Sequence, residues 1–125
     1  MSNSLDIQIN VDNFYLGAQS DPTDNRYVFA YTITIENHSS EQVKLLKRYW
    51  LITDANGKQA EVHGDGVVGE QPELAPGASY SYTSGAVLET PVGTMQGHYE
   101  MLSSSQHRFN AAIPVFRLAM PNILN

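Results

Sequence analysis

With 125 residues, seven basic against thirteen acidic side chains and a formal charge of −6, the chain is expected to form one domain over residues 1–125. That balance opposes sequence-independent nucleic-acid binding, which depends on neutralising phosphates, and the absence of cysteine excludes a disulfide framework, a thiolate metal site and a thiol nucleophile. No run approaches the ~20 apolar residues of a membrane span, and the opening Met-Ser-Asn-Ser-Leu-Asp-Ile-Gln lacks the features of a secretory signal, so a cytoplasmic protein without membrane insertion is expected.

Leu5 to Val11 alternates apolar and polar residues with period two, which predicts a half-buried strand, continued by Phe14-Tyr15-Leu16 after a bulge near Asp12-Asn13. Gly17 to Asn25, with Asp21-Pro22, reads as a loop. Tyr27 to Asn37 is the clearest strand, with Tyr27, Phe29, Tyr31, Ile33 and Ile35 on one face. Val43 to Thr53 is a third strand, with Leu46, Trp50 and Ile52 on one face and Leu45, Tyr49 and Leu51 on the other. Lys44, Lys47 and Arg48 on it form the one local basic cluster, read as a solvated strand face with a small basic patch as the alternative. Asn56-Gly57 signals a hairpin, because both turn residues tolerate positive φ, and Lys58 to His63 is the return strand.

Glu73 to Gly77 is a further turn, Tyr80 to Gly85 a strand, and Ala86 to Val92 a connection. Met95, Gly97, Tyr99 and Met101 share one face of the next strand, and Ser103 to His107 is a polar link. Phe109 to Leu118 is the last strand. Pro114 cannot donate to a ladder, so that strand is an edge or is bulged there, and the tail after Pro121 is loosely held. No window has helical periodicity. Seven or eight short strands separated by turns predict an all-β fold, an antiparallel sandwich of the fibronectin type III or immunoglobulin-like kind, with Trp50 in its core.

Several stretches together resemble the bacterial ApaG family: Tyr49 to Gly57, Gly66-Val67-Val68-Gly69-Glu70-Gln71-Pro72, Tyr82 to Gly85, Pro91 to Tyr99 and Pro114 to Leu118. The resemblance extends from about Asp6 to Leu124. It implies a fibronectin type III-like sandwich. It also implies an association with cobalt tolerance and magnesium efflux, and with a gene neighbour that hydrolyses diadenosine tetraphosphate. Larger eukaryotic proteins with the domain, an F-box protein and a polymerase-delta-interacting protein among them, work through protein contacts. No catalytic residue carries over; the glycine motif does, onto Gly64, Gly66 and Gly69.

That motif, Gly-x-Gly-x-x-Gly at residues 64–69, makes Gly64, Asp65, Gly66, Val67 and Gly69 the candidate ligand site. A dinucleotide loop needs a helix after it, whose N-terminus faces the pyrophosphate. Here Pro72 and the turn at Ala75-Pro76-Gly77 follow, and Glu61, Asp65, Glu70 and Glu73 oppose phosphate. Three readings stand: a structural loop, an anion nest, or a phosphate site bridged by Mg²⁺, the one cofactor considered. His38, His63, His98 and His107 lack metal-ligand spacing, although His98 and Glu100 share a strand face; no metal site is expected. Ser103 to Ser105 near His107 fits a hairpin link better than a hydrolase. Tyr27, Tyr31, Tyr49, Leu51, Tyr80 and Tyr82 either fill the core and its rim or make a partner-binding sheet face. A charged fraction of 16%, against a typical ~25%, suits a surface used for contact. The expected function is a non-enzymatic module binding a protein partner, with homo-oligomer formation through an edge strand or sheet face also open. The alternative is a binder of a nucleotide or pyrophosphate-like ligand.

Overall fold

The computed structural model describes residues 6–123, so the predicted strand start at Leu5, the end of the resemblance at Leu124 and the last two residues of the tail lie outside it. The strands are β1 (Ile7–Tyr15), β2 (Tyr27–Asn37), β3 (Val43–Asp54), β4 (Gln59–Asp65), β5 (Glu73–Leu74), β6 (Ser79–Leu88), β7 (Val92–Ser103) and β8 (Arg108–Ala119). They form an antiparallel β-sandwich. One sheet has the order β1-β2-β6; the other runs β4-β3-β7-β8, with β5 also paired to β3.

Alternation places the core. Phe29, Ile33 and Ile35 of β2 are fully buried against Leu45, Trp50, Met95, Tyr99, Met101 and Leu118 of the facing sheet. Trp50 is 2% exposed, with Tyr31, Tyr99 and Phe116 meeting its ring edge-on. Aromatic edge-to-face pairs of this kind add to the burial of apolar area. Tyr27, Tyr31 and Tyr82 are buried and Tyr80 packs against the core, so of those six aromatic and apolar residues Tyr49 and Leu51 remain on an outer face.

Several boundaries differ from those expected. β1 pairs with β2 in unbroken register from Ile7 to Tyr15, with no bulge at Asp12-Asn13. Regular alternation instead turns Phe14 outward, 48% exposed. The loop after β1 holds two 3₁₀ turns, Gly17–Gln19 and Pro22–Asp24. At the β3–β4 hairpin only Gly57 takes positive φ; the Asp54 carboxylate accepts the Asn56 and Lys58 amides and holds a longer loop. β4 runs on to Asp65, and β6 continues through the supposed connection to Leu88 because Ala86 and Leu88 keep the inward alternation. β8 is both an edge and bulged: β7 keeps one residue, Gln96, opposite the pair Pro114 and Val115.

The largest correction falls in β3. Its register shifts between Leu45 and Lys47, so Leu45, and not Leu46, joins Trp50 in the core. One extra residue in a strand reverses the side-chain parity beyond it. Arg48 is thereby turned inward, off the solvated face expected for it, while Lys47 stays outside. The two sides of the sandwich also differ. β1 packs on β8 and closes one side; among the described residues β4 and β6 are the unpaired edges on the other.

Candidate functional site

The bulge in β3 and the glycine motif form one unit. Gly64 and Asp65 are the last residues of β4, paired with Arg48 and Lys47. The carbonyl of Leu46, displaced by the bulge, accepts the Gly66 amide at 2.8 Å and the Gln71 side-chain amide at 2.9 Å. The Val67 amide donates to the Glu70 carbonyl at 2.8 Å and the Glu70 amide returns to the Val67 carbonyl at 2.9 Å. Val67 is completely buried in the core. The amides of Gly66, Val67 and Glu70 therefore point at partners within the chain, not at a shared concavity.

Close approach of backbone requires glycine at position 66, whereas at position 64 an added Cβ would displace only the end of the Arg48 side chain. A Cβ at Gly66 (φ +63°) would lie 2.1 Å from the Glu70 carbonyl oxygen, and one at Gly64 would lie 2.6 Å from the Arg48 guanidinium. The turn between Val67 and Glu70 holds Val68 at φ +48° and Gly69 at φ +78°; positive φ at both central residues belongs to the type I′ hairpin turn. Valine is a rare occupant of that region, where its branched side chain is strained. Val68 is nevertheless 64% exposed, so burial of its own side chain does not repay the strain.

Above this unit sits Arg48, half-buried, whose Nη1 donates to the carbonyls of Asp65 at 3.1 Å and Gly66 at 3.0 Å. Among the described residues no carboxylate forms an ion pair with it. On the side facing the smaller sheet it meets the hydroxyl-bearing Tyr31, Tyr82 and Ser84, and on the other it borders the outer groove with Lys47, Asp65 and Glu100. Burial pushes the Tyr31, Tyr82 and Tyr99 hydroxyls above their ordinary value, with the Arg48 charge pulling weakly the other way. Tyr82 and Tyr99 hydrogen-bond to each other through their hydroxyls, and Ser84 stands opposite Tyr31 in the β2–β6 pair. A cavity of about 190 Å³ opens here, lined by Arg48, Tyr31, Trp50, Val67, Tyr82 and Ser84. A second, of about 220 Å³, lies further along the same open side between Ile52 and Ala60 of one sheet and Val87 and Leu88 of the other. The Lys58–Glu89 ion pair at 2.9 Å marks its end.

The outer face of the larger sheet carries a groove of about 410 Å³. In it the Tyr49 ring lies 5.1 Å from His98 and 5.0 Å from His63, and its hydroxyl donates to Glu61 at 2.7 Å. The strand-face pairing of His98 with Glu100 is as expected, but Glu100 is engaged by Arg108 at 2.8 Å. Among the described residues no group of three or more ligating side chains could hold a metal ion. His38 meets Glu36, and the His107 ring stacks on Phe109 while its amide donates to the Ser103 hydroxyl. The serine link is thus a hairpin closure. No helix of the described residues is long and apolar enough to cross a membrane.

Arg48 and the open side were missed by sequence reasoning. The available signal was the change of parity along β3: the apolar positions 43 and 45 are odd and 50 and 52 are even, which requires one extra residue between them.

An antiparallel sandwich with a clasped glycine turn beside an arginine that has no carboxylate partner among the described residues defines a class of small β-domain, and comparison with known proteins narrows it. The model of the ApaG domain matches residues 17–103, so the chain belongs to the ApaG family. Proteins named ApaG from Salmonella arizonae and Sodalis glossinidius are 57% and 55% identical over 125 residues, the whole of both chains. A solved structure described as the putative ApaA protein from Bordetella pertussis is 44% identical, with a TM-score of 0.92 over 95% of this chain and 97% of that one. An Archaeoglobus fulgidus protein at 8% identity, covering 96% of this chain and all of its own, shares the fold alone, with a TM-score of 0.51.

Proposed function

We propose that the chain is a non-enzymatic protein-interaction module acting in the cytoplasm. The observation that carries this reading is the open side of the sandwich. Three of the five exposed large apolar residues among those described, Val62, Val68 and the outward-turned Val87, lie along it with the unpaired edge of β6 and the half-buried Arg48, while Phe14 and Val115 lie on β1 and β8. Exposed apolar groups gathered on one side mark contact surfaces. On this reading the glycine turn is a clasp that shapes the surface, no nucleotide or Mg²⁺ is needed at Gly64, Asp65, Gly66, Val67 and Gly69, and any link to cobalt or magnesium runs through the partner. On this reading the partner is a protein and not a nucleic acid, whose phosphates a net charge of −6 opposes.

The test is affinity capture from the native cytoplasm with the wild-type domain and the Val62→Glu and Val87→Glu variants, each first shown to melt like wild type. A protein identified with wild type and lost with both variants supports the reading. Capture of nothing that depends on the intact fold refutes it. The competing nucleotide reading predicts saturable shifts of the Gly64, Gly66, Val67 and Gly69 amides with ATP, diadenosine tetraphosphate or pyrophosphate, with and without Mg²⁺. The internal hydrogen bonds of Gly66 and Val67 argue that none appear.

A further inference from the structure

Resting on that reading, we infer that the open side binds an extended peptide as an added strand on the edge of β6, and that the peptide carries an acidic residue for Arg48. The first ground is backbone chemistry. β6 pairs only with β2 among the described residues, while β4 in the facing sheet lies beyond the last strand of the smaller one. The larger sheet thus overhangs the smaller by one strand position. β4 turns Ala60, Val62 and Gly64, the partners of Ile52, Trp50 and Arg48, toward that empty position. A strand there would pair with the free N–H and C=O groups of β6 and cover Val62, which is 38% exposed.

The second ground is charge. The inward positions of β6 in this stretch are Ser84, Ala86 and Leu88. The Arg48 cavity lies beside Ser84, and beside Leu88 lies the second cavity, apolar at Ile52, Ala60, Val87 and Leu88 and polar at its far end, where Asp54, Gln59 and the paired Lys58 and Glu89 line it. Four residues of strand, about 13 Å, separate the two ends. The positions facing inward on an added strand therefore meet one cation and two apolar sites at alternate residues. An antiparallel peptide would read apolar-x-apolar-x-acidic; a parallel one would read the reverse. Arg48 has no carboxylate of its own, and a planar guanidinium suits bidentate pairing with one. The boundaries fit a short peptide: the Lys58–Glu89 pair closes one end and the strained, exposed Val68 stands at the other. A left-handed valine held in the open is strain stored at a contact point.

The experiment is selection of a displayed library of random 12-residue peptides on the wild-type domain. The strongest peptide is then synthesised and titrated into labelled protein by NMR. The expected result is enrichment of apolar-x-apolar-x-Asp/Glu or its reverse, saturable shifts at Ser84 to Leu88 and Ala60 to Val62, and cross-strand contacts between peptide and β6 protons. Changing the peptide's acidic residue to its amide should weaken binding about tenfold, one such charge-assisted pair. Arg48→Met should do the same; because Arg48 also holds the turn, Val87→Glu provides a second variant that leaves the turn intact. The inference is overturned by failure to enrich a motif, by peptides indifferent to the acidic position, by shifts confined to the outer groove around Tyr49, or by a concentration-dependent dimer that Val87→Glu abolishes. Binding at Tyr49 would leave the interaction reading standing, whereas affinity capture of nothing would remove both.

Discussion

Replacement of Gly66 by alanine is the sharpest perturbation of the clasp. Gly66 stands at φ +63°, where an L side chain costs about 1–2 kcal/mol. The new Cβ would lie 2.1 Å from the Glu70 carbonyl oxygen, so the turn must open. Opening it gives up the two hydrogen bonds between Val67 and Glu70, each contributing about 1 kcal/mol. The sum is a destabilisation of about 3–4 kcal/mol, before any withdrawal of Val67 from the core. Gly69→Ala is the matched control: its φ of +78° carries the same backbone cost, but no atom lies within 4 Å of the new Cβ. It should lose only about 1–2 kcal/mol. Urea unfolding of both variants, read by Trp50 fluorescence and with slope checked against wild type, gives the difference. Equal losses, or a Gly66→Ala loss under about 1 kcal/mol, would mean that the turn does not clasp the bulge.

Trp50→Ala should destabilise by about 3–5 kcal/mol, because the indole is 2% exposed and its removal leaves a core cavity; a near-wild-type melting curve counts against the packing. Val68→Asn should stabilise by about 0.5–1 kcal/mol, since asparagine tolerates the left-handed region that strains valine, while weakening selected peptides. The same variant losing stability would show that Val68 is not strained. Burial raises the Tyr31, Tyr82 and Tyr99 hydroxyls in the folded state. The unfolded chain then loses those protons first, near pH ~10, so their contribution is fully present below that pH and is lost as pH rises above it. Stability measured from pH 7 to 11 should fall only at the alkaline end, less steeply in Tyr82→Phe; a fall already complete by pH 8 contradicts the assignment.

The sandwich was legible because β7 buries one parity of side chain throughout and β2 does so from Tyr31 to Asn37, so two-residue alternation survives in the sequence; in β8 the parity reverses at the Pro114-Val115 bulge. Trp50 was legible for the same reason. What could not be read locally was the effect of the extra residue in β3, which turned Arg48 from a presumed solvated face into the space between the sheets. The glycine motif was legible as letters only. Its meaning depends on the Leu46 carbonyl, eighteen residues before Gly64 in the chain, and on Glu70 folding back over Gly66. The overhang of β4 beyond β6 is likewise a property of strand order, set by which strands pair across long separations and not by any one segment.

The exchange rates of the Gly66 and Val67 amides test the central claim most directly, since those amides are either bonds of the fold or donors awaiting an anion. Hydrogen exchange followed by NMR on the unliganded protein should find both protected close to the level of the core strands, and unchanged on adding millimolar pyrophosphate with Mg²⁺. Rapid exchange in the free protein, slowed only when pyrophosphate is present, would contradict the account and make the turn a ligand site.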